Sequence, residues 1–183
     1  MPSRRSVLAS SGVVLAGVGF AGCLSEQSTV SAEVVQLKSV RVEWERDGRS
    51  SAGSVVQLVS EGETEITGQV ATDGSGLVSS PTDVTVSEAH HDRLTTTYDR
   101  VRYVVGLCGD ELGSDDGFGC LNADASREDF NDVQFGDRAD VEVRDGAFVV
   151  HEVERGDVTE WDADVREFEW DDRYPGPSPG LIA

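Results

Sequence analysis

Val141-Glu142-Val143-Arg144-Asp145-Gly146-Ala147-Phe148-Val149-Val150-His151 decides the reading of the fold. Apolar and charged residues alternate on both sides of Asp145-Gly146, and that dipeptide suits a two-residue type I′ turn because glycine takes φ > 0 without a Cβ clash. Folding about the turn sets Arg144 opposite Ala147, Val143 opposite Phe148, Val141 opposite Val150 and Asp140 opposite His151. Val141, Val143, Phe148 and Val150 then make one apolar face, while Asp140, Glu142, Arg144 and His151 make a wet one. An antiparallel hairpin with one side in a core is predicted.

Outward from this hairpin the chain continues in strand-like segments. Glu33 to Glu45 is a long β-branched stretch in which Val34, Val40, Val42 and Trp44 share one parity. Ser54 to Ser60 and Glu65 to Ala71 are shorter runs separated by Gly62, and Thr72-Asp73-Gly74-Ser75-Gly76 reads as a turn. Asp83 to Ser87 reads as another strand, and Ser87 to Leu94 as a short helix capped by Ser87. Tyr98 to Leu107 alternates, with Val101, Tyr103, Val105 and Leu107 inward and Arg100 and Arg102 outward. Val158, Trp161, Val165 and Phe168 also fit a helical stripe, but Val165 to Trp170 is read as strand. The expected fold is mainly β, a small β-sandwich or partly open β-barrel with one short helix.

The chain has 183 residues, 38% hydrophobic, which sets a prior of one domain with a real core. Lys38 is its sole lysine, and 15 basic residues face 35 acidic ones for a net charge of −20. That balance argues against nucleic acid as a partner, since phosphate binding draws on Lys and Arg. Acids are spread along the chain, although residues 109–183 carry 22 acids and 6 bases, so a solvated acidic surface is a better reading than one recruiting patch.

The N-terminus carries an address. Arg4 and Arg5 precede an apolar run of 14 residues from Val7 to Phe20. As a helix this run reaches about 21 Å, short of a bilayer core of about 30 Å, so it reads as a signal segment. Ser3-Arg4-Arg5-Ser6-Val7-Leu8 resembles the twin-arginine export signal, and Phe20-Ala21-Gly22-Cys23 resembles a lipobox ending in the lipidated cysteine. Together with the acidic composition, the chain resembles twin-arginine-exported lipoproteins of halophilic archaea. The resemblance is confined to these features. It implies export, a lipid on Cys23, a membrane partner through that lipid, and an extracellular location on the outer face of the cytoplasmic membrane, in molar salt. Gly17-Val18-Gly19-Phe20-Ala21-Gly22 matches a dinucleotide-binding pattern, but no strand precedes it and export processing would remove it. The expected organisation is a signal peptide at 1–22, a lipidated cysteine and tether at 23–32, one β-rich domain at 33–172, and a Pro/Gly-rich tail at 173–183 outside the fold.

Chemistry-bearing groups are few. Cys108 and Cys120 bracket a polar, glycine-rich loop, and a disulfide is the expected pairing outside the cell. Their spacing is neither a Cys-x-x-Cys redox pair nor a zinc pattern. Asp110, Glu111, Asp115 and Asp116 in that loop are oxygen donors, without the alternating ligands and closing Glu of an EF-hand. His90, His91 and His151 are the histidines, and the adjacent pair diverges on either a strand or a helix. No nucleophile elbow, P-loop or cofactor motif is present. The expectation is therefore no assigned catalytic residue, metal or cofactor, and a surface domain that binds or scaffolds an envelope protein or small ligand. The alternatives are a small-ligand or divalent-cation binding lipoprotein using the 109–119 loop or His151, and a metal-dependent hydrolase around His90, His91 and Asp92.

Overall fold

The computed structural model describes residues 29–61, 64–113 and 117–181. Along the chain its strands are β1 (Thr29–Ala32), β2 (Val34–Arg46), β3 (Arg49–Ser60), β4 (Glu65–Ala71), β5 (Val78–Ser80), β6 (Asp83–Val84), β7 (Arg100–Gly109), β8 (Gly119–Ala125), β9 (Arg138–Arg144), β10 (Ala147–Glu154) and β11 (Asp162–Phe168). The helices are α1 (Glu88–Thr97), α2 (Arg127–Asp132) and α3 (Trp170–Arg173). One large sheet runs β1-β9-β10-β8-β7-β2-β3-β4-β11, and β5 pairs with β6 apart from it. The mainly β expectation holds, with an open sheet that does not close into a barrel. Pairings β8–β10 and β4–β11 are parallel, and the other pairings in the large sheet are antiparallel.

Local chemistry explains the hairpins. Asp145 and Gly146 sit at φ 52° and 80°, and Arg144 pairs with Ala147 as the type I′ turn requires. Asp47-Gly48 repeats the device at φ 53° and 71°, joining Arg46 to Arg49 and thereby β2 to β3. The hairpin register departs from expectation at His151. Val150 pairs with Val141 but Glu152 pairs with Asp140, so His151 is the extra residue of a bulge and does not face Asp140. Asp140 instead accepts a 2.6 Å hydrogen bond from the Ser31 hydroxyl. The two faces are also less clean than the alternation suggests, because Val143 near the turn is 42% exposed while Glu142 on the expected wet face is 5% exposed.

Two boundaries move. Thr29–Ala32 is not tether but the edge strand β1, paired with β9 from Thr29↔Glu142 to Ala32↔Ala139. The Pro/Gly-rich tail does not leave the fold: Leu181 is fully buried, and its backbone N–H donates to the Asp73 carbonyl at 3.0 Å. Prolines prevent this segment from joining a sheet but do not prevent it from packing. Ser87 caps α1 as expected, accepting from the His90 N–H, and α1 runs on to Thr97. Two further helices were not anticipated. Ser126 caps α2 by accepting from the Asp129 N–H at 3.0 Å, and Trp170, expected in the last strand, begins α3.

The large sheet has a covered and an open face. On the covered face Val40, Val42, Leu58, Tyr103 and Val105 meet Leu94 of α1, Phe130 of α2, and Leu181 of the tail in one apolar cluster. Lys38 belongs to this face too, laterally between Leu58 and Val105, and is 0% exposed. Its Nζ donates to the carbonyls of Val84 at 2.9 Å, Phe130 at 2.7 Å and Val133 at 2.6 Å, and lies 4.1 Å from the centre of the Phe130 ring. On the other face the buried Ser39 and Val104 and the exposed Gln57 align across β2, β7 and β3, and Arg102 of β7 forms an ion pair of 2.8 Å with Asp124 of β8.

Replacing Lys38 with Met keeps the length but strands three carbonyls in the core, so Lys38→Met should lower unfolding stability by about 3 kcal/mol or more, read from the midpoint of a guanidinium melt in molar salt. The disulfide between Cys108 and Cys120 spans a separation of 12 residues. Reduction should remove about 3 kcal/mol, the chain-entropy value for a ring of this size, visible as a lower midpoint with reductant than without.

Candidate functional site

Cys108 and Cys120 face each other across β7 and β8 and are joined as a disulfide. Arg4, Arg5 and Cys23 lie outside the described residues, as do Asp115 and Asp116. Asp110 and Glu111 start a 3-10 turn, Asp110–Leu112. Glu111 is engaged structurally, since its Oε2 accepts from the Ser31 N–H at 2.8 Å and so holds β1 against the loop. Among the described residues no group of three His, Cys, Asp or Glu side chains converges as a metal site requires.

The three histidines go separate ways. His91 and the Tyr103 hydroxyl share a 2.6 Å hydrogen bond under α1. The adjacent His90 turns toward the other flank, where its ring lies so close to Gly76 that a Cβ there would come within 3.3 Å of Cε1. His90 Nδ1 is buried without a partner. His151 projects from its bulge with Nε2 3.4 Å from Glu142 Oε2. The histidine-aspartate grouping His90, His91 and Asp92 is thus not assembled, because α1 splays its adjacent side chains.

Glu142 has become a small electrostatic centre. Arg144 grips it with two bonds, Nε to Oε1 at 3.1 Å and Nη2 to Oε2 at 2.7 Å. That forked hydrogen bond holds the carboxyl below the usual carboxylate range, with His151 assisting and desolvation opposing. Tyr103 is shifted the other way: burial pushes its phenol up to about 12, and Arg127 opposes the shift.

The densest gathering of aromatic chemistry is a buried cluster where β2 ends. Trp44 of β2 lies 5.8 Å from Tyr98 and 5.7 Å from Trp170, between ring centres, and Trp170 lies 4.5 Å from Tyr174. Phe168 flanks Trp170 at 6.4 Å and carries the Arg173 guanidinium over its face at 3.8 Å. Burial raises the Tyr98 phenol, with Asp73 and Asp171 adding to the shift, so it stays protonated and donates to the Pro177 carbonyl at 2.8 Å. The indole N–H groups of Trp44 and Trp170 are buried with no hydrogen-bond partner.

Sequence reading missed this cluster because its members come from Trp44, Tyr98 and residues 168–174, far apart in the chain. A usable signal existed: two of the three tryptophans and two of the three tyrosines gather there. Comparison with known proteins gives no guide to its role, since no protein-family model, curated protein or solved structure matches this chain.

Tyr103 yields a pH prediction. Its folded pKa of about 12 exceeds the unfolded value of about 10, so the folded state keeps a proton the unfolded chain has lost. Its contribution is intact below pH of about 10 and fades as pH rises to about 12. Tyr103→Phe should flatten that part of the alkaline stability curve, measured by melts between pH 9 and pH 12 (about that range).

Proposed function

We propose that this chain is a cell-surface domain that binds or scaffolds in the envelope, exported through the Arg4-Arg5 signal and held by lipid on Cys23 at the outer face of the cytoplasmic membrane. The observation that carries the reading is the spacing from Cys23 to the fold. Residues 24–28 separate the lipobox-like cysteine from the first strand residue, Thr29. Such a link spans at most about 20 Å, which keeps the β1 edge close to the lipid surface. A single chain of lipid holds weakly and two hold firmly.

Two other features support the reading. A disulfide between Cys108 and Cys120 suits an oxidising compartment. The surplus of 35 acids over 15 bases suits brine, where a Debye length of about 3 Å at 1 M salt suppresses repulsion among carboxylates.

Fractionation of an expressing halophilic host tests the anchor. Wild type should sediment with membranes and be released by detergent, whereas Cys23→Ser should appear in the soluble fraction or the medium. Equal retention of the two proteins on membranes would refute lipid attachment at this residue.

A further inference from the structure

Among the described residues three large apolar side chains are exposed, Phe118 at 59%, Val143 at 42% and Leu121 at 37%. All three lie at one end of the large sheet. There β1 begins, with Thr29 paired to Glu142, and β9 ends beside it at the turn that leads to Ala147 of β10. Ala147 pairs with Asp124, so β8 extends past that turn at the same end, back to Gly119, which pairs with Gly109 at the close of β7. The chain leaving β7 lies against β1: the Glu33 N–H donates to the Cys108 carbonyl at 2.8 Å and the Ser31 N–H to Glu111 Oε2 at 2.8 Å. Two of the three exposed side chains continue the core outward. Val143 pairs with the buried Phe148 and Leu121 with the buried Leu107, and directly opposed residues share a face. Half-buried Val30 and Leu112 pack on the core at this end as well. Apolar residues exposed singly need no explanation, whereas ones gathered at one end mark a contact surface.

We propose that this end of the sheet faces the lipid bilayer, with Phe118, Leu121 and Val143 dipping into the membrane interface beside the anchor. The length of chain ahead of the fold selects that occupant. Residues 24–28 join Cys23 to Thr29, the first residue of β1, and a link of this length reaches at most about 20 Å. The end of the sheet that carries the exposed side chains is therefore the end that the anchor holds against the membrane. Asp110, Glu111 and Asp145 stand exposed around them and stay in the water and headgroup layer. In brine their repulsion from anionic headgroups is screened within about 3 Å, while the gain from burying apolar surface does not depend on charge. The lipid on Cys23 supplies attachment, and the three side chains fix which way the domain points.

This inference rests on the lipid anchor proposed above, and the test reads the two separately. Protein extracted from membranes in detergent is reconstituted in molar salt into phosphatidylcholine vesicles whose acyl chains are either plain or dibrominated, bromine being a contact quencher of tryptophan. Wild type is its own control, because Trp44 and Trp170 are buried and Trp161 lies at the opposite end of the sheet, beside Gly136 ahead of β9. Its emission should be the same in both vesicles. Phe118→Trp places a new ring on the proposed surface, and the emission it adds should fall at least about twofold in brominated vesicles, as for a side chain set about 5–10 Å into the interface. Leu121→Trp should respond alike, and serves if Phe118→Trp does not fold. Sedimentation with the vesicles reports attachment. Protein that sediments while the added ring emits equally in both vesicles overturns the docking and leaves the anchor standing, and so does a ring shifted to the blue without quenching, which would mean that protein, such as a second copy, covers the surface. Protein that does not sediment overturns the anchor and this docking with it.

Discussion

One ammonium group, on Lys38, ties the sheet to the layer that covers it. Its three N–H bonds meet three backbone carbonyls, of Val84, Phe130 and Val133, which lie 46, 92 and 95 residues away in the chain. Burial pulls the pKa of this lysine well down, while Asp83 and Asp137 pull it back up. The geometry favours the charged form. A neutral amine has two donors, so one carbonyl would be left without a partner and the nitrogen lone pair would face an acceptor. The Phe130 ring beneath the nitrogen also prefers a cation. Phe130 and Val133 close the last turn of α2, where carbonyls lack helical partners, so the lysine serves acceptors that the helix itself cannot satisfy.

Around this point the covering layer is organised by side-chain amides in place of a strand. Gln134 accepts from the Val84 N–H at 2.9 Å and donates to its carbonyl at 3.3 Å. Asn131 does the same for Val86, at 2.8 Å and 3.0 Å. The segment from Val84 to Val86 meets β5 at Val78 and the Leu77 carbonyl through the Thr85 N–H at 3.0 Å, and these two amides satisfy the polar groups of Val84 and Val86 on its other side. Asp137 completes the arrangement by accepting from the Gln134 N–H at 2.8 Å and from Arg155. Here a buried carboxylate belongs to the scaffold, even in a chain whose acids mostly serve the solvent.

What could be read from the sequence was what neighbours in the chain decide. The turn at Asp145-Gly146 and the Ser87 cap involve residues within a few positions of one another, and both are found where expected. Asp47-Gly48 carries the same turn signal as Asp145-Gly146, and Ser126 the same kind of cap signal as Ser87, so both are equally local and legible. The parallel contacts β8–β10 and β4–β11 were not legible, because each joins segments across intervening elements with no local pattern to mark the partner. Lys38 shows the same limit. A lone lysine in an apolar strand gives no sign of carbonyls contributed from positions 84, 130 and 133.

The aromatic cluster and the lysine centre represent two opposite solutions to burying polar hydrogen. At Lys38 every donor has an acceptor, and the site is closed on all sides by parts of the fold. At Trp44 and Trp170 two donors have none, although the same fold had prolyl carbonyls within the tail to offer. An unmet donor in a protein interior costs about 1 to 3 kcal/mol, which the packing of the rings has to offset. The contrast separates a centre that meets every donor it buries from one held by the packing of its rings.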